Sequence, residues 1–158
     1  MTVLRNKGFF SKKYIAEENG TVIAELNRDM WHQRAEMKCL GRTLKLTCLN
    51  LVKSTYALCD GDTKIAEIKM SNIMGTKLSF QYLDNDFELV KKAWYSEILL
   101  LKSNDSVVGS IRPKDWFSCD AVIDLPNYLP LSLRIFIAWV GVIRWEDSAT
   151  FGATSSGG

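Results

Sequence analysis

The feature that most constrains the fold is an alternation of apolar and polar residues that runs, with turns between, from Lys12 to Leu125. A period of two is typical of half-buried β-strands. Turn residues separate the alternating segments, and Asn19-Gly20 is a strong signal for a two-residue hairpin. The pattern predicts about twelve strands, at Lys12–Glu17, Thr21–Asn27, Ala35–Leu40, Thr43–Leu49, Thr55–Cys59, Thr63–Met70, Lys77–Leu83, Phe87–Ala93, Glu97–Lys102, Val107–Ile111, Trp116–Cys119 and Ala121–Leu125.

The strand pattern also repeats along the chain. The tetrapeptide Ile23–Leu26 recurs as Ile65–Ile68 and, more loosely, as Val108–Ile111, at spacings of 42 and 43 residues. A period of this length indicates a repeated supersecondary unit, and three units of four strands are too few for the blades of a propeller. A closed barrel fits better, because closure also removes the exposed edges of so many short strands.

After Pro126 the period changes, and apolar residues surround all sides of a predicted helix at about residues 130–146. Its uncharged run, Ile135–Ile143, would extend about 13.5 Å, whereas a bilayer core of about 30 Å requires roughly 20 residues. We therefore expect a core helix and no transmembrane span. The predicted fold class is mainly β, a closed antiparallel barrel of about twelve strands that encloses an apolar C-terminal α-helix.

Composition is consistent with one globular domain, predicted at residues 1–147, followed by a glycine-rich tail, 148–158, that we expect to be disordered. A net charge of +2 removes any bulk electrostatic argument for nucleic acid binding. The N-terminus lacks a signal-peptide apolar core, and the four cysteines show no C-x-x-C spacing. We expect a reduced, intracellular (cytoplasmic) protein, with peripheral membrane association left open.

The hairpin repeat (Tyr14 to Leu26, Tyr56 to Ile68 and Ile98 to Ile111) and the apolar helix Leu131–Trp145 together resemble the layout of the tubby C-terminal domain. The plant LURP-one-related proteins and the phospholipid scramblases are similar. The resemblance implies a barrel around a central helix and, as in tubby proteins, a basic site for phosphoinositide head groups. No residue of this chain is matched to that site, and the proline-rich region and cysteine cluster of scramblases are absent from it.

The residues that could support catalysis are sparse. His32 is the only histidine, and the pattern places no nucleophile and carboxylate beside it. One histidine and cysteines without paired spacing form no zinc motif. Asp60-Gly61-Asp62 lies between two strands and is interpreted as a turn, not as a calcium loop. We predict no catalytic, cofactor-binding or metal-ligating residue, and we expect that the protein is not an enzyme.

Lysines and arginines on outward strand positions or loops are the remaining candidates for a ligand site. If several converge, each contributes about 1 kcal/mol to the binding of an anionic head group. The alternative is an ordinary solvated exterior that acidic neighbours neutralise. The predicted contacts to an anionic ligand are Lys12, Lys13, Arg34, Arg42, Lys45, Lys91 and Lys92.

Tryptophans near strand ends form a second surface feature. Trp31, Trp94 and Trp116 lie at such positions, where they either form an aromatic platform or cap the core. Capping of the core is the expectation, because aromatic rings at barrel rims usually bury their large apolar area.

The functional hypothesis is a non-enzymatic binding or scaffold protein that contacts an anionic lipid head group or a protein partner on the barrel surface. One alternative is a membrane-associated protein in which Leu125–Trp145 inserts into a bilayer, motivated by the apolar character of that segment. The least favoured alternative is an enzyme with a pocket in the barrel lumen, because the helix would fill that lumen. The sequence does not indicate an oligomeric state.

Overall fold

The computed structural model of the protein describes residues 1–7, 13–28, 34–50, 55–71, 77–115 and 120–156. These residues form twelve strands and one C-terminal helix. The elements are β1 (Thr2–Asn6), β2 (Lys13–Glu18), β3 (Thr21–Arg28), β4 (Arg34–Cys39), β5 (Arg42–Asn50), β6 (Thr55–Asp60), β7 (Thr63–Met70), β8 (Lys77–Tyr82), β9 (Asn85–Lys91), β10 (Leu99–Ser103), β11 (Ser106–Pro113), β12 (Ala121–Asp124) and α1 (Leu131–Ser156).

The strands form a closed antiparallel barrel in which every strand pairs with its neighbours in the chain. Pairing of β1 with β12, in the register Val3↔Val122, closes the ring. Closure pairs β1 with β12, so that neither is left as an exposed edge strand. The prediction of a mainly β protein with a closed twelve-strand antiparallel barrel and a C-terminal helix is confirmed.

The two ends of the barrel differ in their connections. At one end, two-residue turns join successive strands, and most of their residues have positive φ, as hairpin turns of this length require. We call this the tight-turn end; its turns are Asn19-Gly20, Leu40-Gly41, Gly61-Asp62, Leu83-Asp84 and Asn104-Asp105. At the opposite end, the long-loop end, longer connections join β1 to β2, β3 to β4, β5 to β6, β7 to β8, β9 to β10 and β11 to β12.

The core contains the buried alternate residues of the strands and the apolar part of α1. All residues from Ile135 to Ile143 are buried, on every side of the helix. Trp139 packs its ring edge-on against Tyr56 of β6, with ring centroids 6.2 Å apart. The helix contacts β6 and β12. Leu4, on the first strand, is fully buried in the same hydrophobic cluster.

The structure differs from the predicted element list at both ends of the chain. Strand β1 was not predicted, because Thr2, Val3 and Leu4 are all buried and so show no alternation. The predicted strand Trp116–Cys119 lies outside the described residues. Helix α1 extends to Ser156, beyond the bound of about residue 146 that the sequence predicts. Extending an established helix is easier than starting one, and no proline interrupts this segment.

Gly109 explains why the third repeat departs from the first two. It stands where the first two units have Ala24 and Ala66. A Cβ atom added at Gly109 would lie 2.6 Å from the backbone oxygen of Asp124, the last residue of β12. The close approach of β11 and β12 therefore requires glycine at this position.

We expect the substitution Gly109→Ala to lower the free energy of unfolding by about 1–3 kcal/mol, because β12 would have to shift away from the new methyl group. Urea titration monitored by circular dichroism measures this loss. Ala66→Gly is the matched control at the equivalent site, where a backbone clash is not at issue. Unchanged stability of Gly109→Ala would contradict the close approach of the two strands.

Trp139→Ala should lower the free energy of unfolding by about 3–5 kcal/mol, since a fully buried ring leaves a large cavity. Trp139→Phe should cost less, because it retains much of the ring and removes an indole N–H that has no acceptor among the described residues. Trp94→Ala, which truncates an exposed ring, is the control. Equal denaturation midpoints for Trp139→Ala and the control would contradict the burial of the helix.

Candidate functional site

Charge is distributed unevenly between the two ends of the barrel. Among the described residues, Glu97, Asp115 and Asp120 lie beyond the strands at the long-loop end, and Glu25, Glu67 and Glu88 pair with lysines of that end. Many more basic side chains occupy the same end: Lys7, Lys13, Arg28, Arg34, Lys69, Lys77, Lys91, Lys92, Arg112, Lys114 and Arg144. The nearly balanced total of 20 basic and 18 acidic residues therefore conceals a strongly basic end.

An open depression of about 480 Å³ lies on β3, β4 and β5 toward this end. Three cationic side chains line it, Arg28 from β3, Arg34 from β4 and Lys45 from β5. We call it the basic groove; its other lining residues are Asn27, Ala35, Glu36, Leu46 and Thr47. Two of the predicted contact residues, Arg34 and Lys45, thus converge in one place.

The register of β4 and β5 brings Arg34 and Lys45 together. Arg34 lies opposite Thr47, and Glu36 lies opposite Lys45. Arg34 and Lys45 are therefore diagonal neighbours on the exposed face, with Cβ atoms about 7–8 Å apart. Both side chains are long enough to reach one anion between them, while Glu36 offsets part of their charge.

Arg28 belongs to the groove although its side chain faces the barrel interior. It follows Ala24 and Leu26 on the buried face of β3 and is only 9% exposed. Its Nη1 donates a hydrogen bond to the hydroxyl oxygen of Tyr14 at 3.1 Å, and its Cζ lies 5.8 Å from the centroid of the same ring. The aromatic face and the hydroxyl stabilise a cation that burial would otherwise disfavour.

Sequence reasoning missed Arg28 because residues 28–33 were interpreted as a loop. The signal was present, since Arg28 continues the alternation of Ala24 and Leu26 by one more step. A charged residue at an inward position conflicts with the pattern of a buried face. Such a conflict is a frequent mark of a functional position.

The other predicted contact residues do not join the groove. Lys13 lies on β2, where it forms an ion pair with Glu25 at 3.8 Å. Arg42 lies at the tight-turn end and pairs with Asp60. Lys91 ends β9 and Lys92 follows it, on the far side of the ring from β3. Lys12 lies outside the described residues.

A second feature of the long-loop end is an exposed aromatic pair. Trp94 is 88% exposed and Tyr95 is 76% exposed, and their rings pack edge to face with centroids 5.5 Å apart. The expectation that Trp94 caps the core is therefore wrong, because its ring is almost fully exposed to solvent. Trp31 and Trp116 lie outside the described residues.

The connection that carries this pair is held by several hydrogen bonds. Lys92 N–H donates to Ile98 O at 2.9 Å, and Ser96 N–H donates to Ala93 O at 3.0 Å. The indole N–H of Trp145 on α1 donates to Glu97 O at 2.8 Å. The exposed rings are thus displayed from a fixed loop beside Lys91 and Lys92.

Other reactive groups of the described residues do not assemble into a site. In those ranges no three His, Cys, Asp or Glu side chains are grouped as metal ligands, and His32 lies outside them. Burial raises the pKa of the Cys39 thiol, which favours the neutral and less nucleophilic form. A hydrogen bond from Lys64 is the main reason that the pKa of Glu67 is lowered, as expected for an ion pair on a strand surface.

No protein-family model matches the chain, and neither the curated proteins nor the solved structures contain a match to it. The resemblance to the tubby group stays an expectation from the sequence. Within the described ranges, no helix combines the length and the apolarity that a membrane crossing requires.

Tyr14→Phe tests the support of Arg28. Removing the hydroxyl acceptor of a buried cation should lower the free energy of unfolding by about 1.5–3 kcal/mol, measured by urea titration. Tyr95→Phe, on the exposed loop, is the matched control and should change it by less than about 0.5 kcal/mol. Equal effects of the two substitutions would contradict the described role of Tyr14.

Proposed function

We propose that this protein is a non-enzymatic binding protein whose basic groove recognises an anionic ligand, with a phosphorylated lipid head group as the favoured class. The observation that carries the proposal is that Arg34 and Lys45 lie together on the exposed face of a groove that the buried Arg28 of the adjacent strand also lines. Guanidinium groups suit this role, because their planar donor pairs match the oxygens of a phosphate.

The groove combines one buried and two exposed cations. The buried guanidinium of Arg28 is shielded from solvent, so that its attraction for an anion is screened less than that of a surface lysine. Arg34 and Lys45 are exposed and can move to accommodate a bound head group. Glu36 opposes binding, so we expect modest affinity from the groove alone.

The exposed aromatic pair favours a membrane lipid over a soluble anion. Trp94 and Tyr95 lie at the same basic end as the groove, and tryptophan and tyrosine rings prefer the level of lipid head groups. Basic residues around them would draw this end toward an anionic leaflet. The resemblance to the tubby group, which implies head-group binding, points to the same ligand class.

We also infer that α1 occupies the barrel interior. Its contacts support this position, because β6 and β12 lie on opposite sides of the ring and a helix outside the barrel could not contact both. A Cβ atom added at Gly141 would lie 2.9 Å from the side chain of Leu99 on β10. The helix is therefore also close to a strand that lies between β6 and β12 in the ring. An occupied interior leaves the rim and outer surface for ligands and keeps residues 135–143 away from a bilayer.

Vesicle co-sedimentation at low ionic strength tests the proposal. The protein should bind vesicles that contain anionic phospholipid and should not bind neutral phosphatidylcholine vesicles. The double substitution Arg34→Gln and Lys45→Gln should weaken binding at least about tenfold, since each charge contributes about 1 kcal/mol. The matched control is Lys64→Gln with Lys102→Gln, which removes the same charge at the tight-turn end.

Two results would contradict the proposal. The first is that the unaltered protein does not bind anionic vesicles at low salt, where screening is weakest. The second is that the control pair weakens binding as much as the groove pair, because net charge alone would then account for the attraction.

A further inference from the structure

The tight-turn end exposes two leucines in a backbone conformation that leucine rarely adopts. Leu40, in the turn between β4 and β5, has φ of 52° and is 77% exposed. Leu83, in the turn between β8 and β9, has φ of 47° and is 74% exposed. The left-handed region disfavours bulky side chains, and these turn positions ordinarily contain asparagine, aspartate or glycine.

At the equivalent position of two other turns the chain has asparagine, which tolerates positive φ. Asn19 and Asn104 begin the turns between β2 and β3 and between β10 and β11, with φ of 52° in each. Leu40 and Leu83 lie 43 residues apart, at the repeat spacing, so the exception occurs at the same place in two units. Strained backbone combined with exposed apolar area is retained where it serves an interaction.

More apolar side chains surround the two leucines. Val22 and Val107 are exposed at repeat-related positions near the starts of β3 and β11, and Ile65 is exposed near the start of β7. Val22 and Leu40 line one shallow depression of about 380 Å³. The tight-turn end therefore presents apolar side chains from several hairpins around its rim.

The charge of this end is opposite to that of the long-loop end. Its described basic side chains are Lys38, Arg42, Lys64, Lys102 and Arg134, of which Arg42 pairs with Asp60 and Lys64 pairs with Glu67. Carboxylates outnumber them: Glu18, Asp60, Asp62, Asp84, Asp86, Asp105 and Asp124. An anionic bilayer would be repelled here, whereas a basic protein surface would be attracted.

This chain itself carries such a surface at its other end. We propose that two copies associate head to tail, with the acidic, leucine-bearing tight-turn end of one on the basic long-loop end of the next. The turns that carry Leu40 and Leu83 lie a third of the ring apart, so one of the two leucines would pack against the adjacent rings of Trp94 and Tyr95. The carboxylates around the leucines would face the lysines and arginines of the partner copy. The association does not depend on lipid binding.

The dimensions of the barrel fit this contact. Twelve strands about 4.8 Å apart and tilted by about 40° give a backbone diameter of roughly 24 Å. With its side chains, such an end offers on the order of 800 Å², which is the area per partner of a standard protein interface. Both ends share one cross-section, so the two faces match in size.

Head-to-tail contact also regulates the proposed lipid site, and this part rests on the proposed function. A copy docked on the long-loop end covers the aromatic pair that would face the bilayer. Anionic vesicles should therefore dissociate the assembly, while neutral vesicles should not. If the protein self-associates and anionic vesicles do not dissociate the assembly, only the regulatory part is contradicted.

Sedimentation velocity of the full chain over a range of concentrations tests the association. Species heavier than the 17.9 kDa monomer should increase with concentration at low salt and decrease at high salt. Replacing Leu40 and Leu83 with asparagine should weaken association at least tenfold. Asparagine tolerates positive φ, so this variant should fold at least as stably as the parent.

Mixing two variants distinguishes head-to-tail contact from other geometries. The Leu40→Asn/Leu83→Asn protein and a Trp94→Ser/Tyr95→Ser protein should each remain monomeric, because each lacks one half of the contact. Their mixture should form dimers and nothing larger, since one intact interface remains between the two variants.

Two outcomes would overturn the proposal. One is a monomer at every concentration and salt. The other is unchanged self-association of the Trp94→Ser/Tyr95→Ser protein, which would mean that the tight-turn ends contact each other instead.

Discussion

Closure of the barrel depends on one pairing between strands that are far apart in sequence, that of β1 with β12. The other ladders join strands that follow one another in the chain, whereas this one joins Thr2–Leu4 to Ala121–Ile123. A hydrogen bond from the backbone N–H of Asn6 to Oδ1 of Asp120 at 2.9 Å reinforces it. Because loop closure over such a separation is costly, we expect this ladder to form late in folding.

A closed ring of this size also creates an interior that apolar side chains must fill. The inward residues of the strands and residues 135–143 of α1 form a single hydrophobic cluster, which supports the proposal that the helix lies inside. The two ends of the barrel then differ in the charged and apolar side chains that they expose. The described residues of the long-loop end include many cations and an exposed aromatic pair, and the tight turns carry carboxylates and exposed leucines.

The architecture was largely predictable because each hairpin has a local sequence signal. Alternation and turn residues such as Asn19-Gly20 specify strands without reference to the rest of the chain. Strand β1 lacked that signal, since its first three residues are all buried. Leu40 was assigned to a strand for a related reason: leucine gives no turn signal, and its positive φ depends on the hairpin it closes.

The candidate site was less predictable because it depends on which end of the barrel each residue occupies. Arg34 and Lys45 converge through the register of β4 and β5, and no spacing in the sequence reveals that register. Arg42 is outward like them but belongs to the opposite end. Arg28 was absent from the predicted set because the predicted strand ended at Asn27 and left Arg28 in a loop. Residues such as Arg28, which break the pattern of an apolar buried face, are the ones on which the proposed function depends.

Hydrogen exchange of the native full-length protein tests the central claim, that the helix fills the barrel and leaves function to its ends. The amides of residues 135–143 should exchange as slowly as the most protected amides of β6 and β12, because they can open only when the whole barrel unfolds. Exchange in that segment orders of magnitude faster than in those strands would contradict the claim.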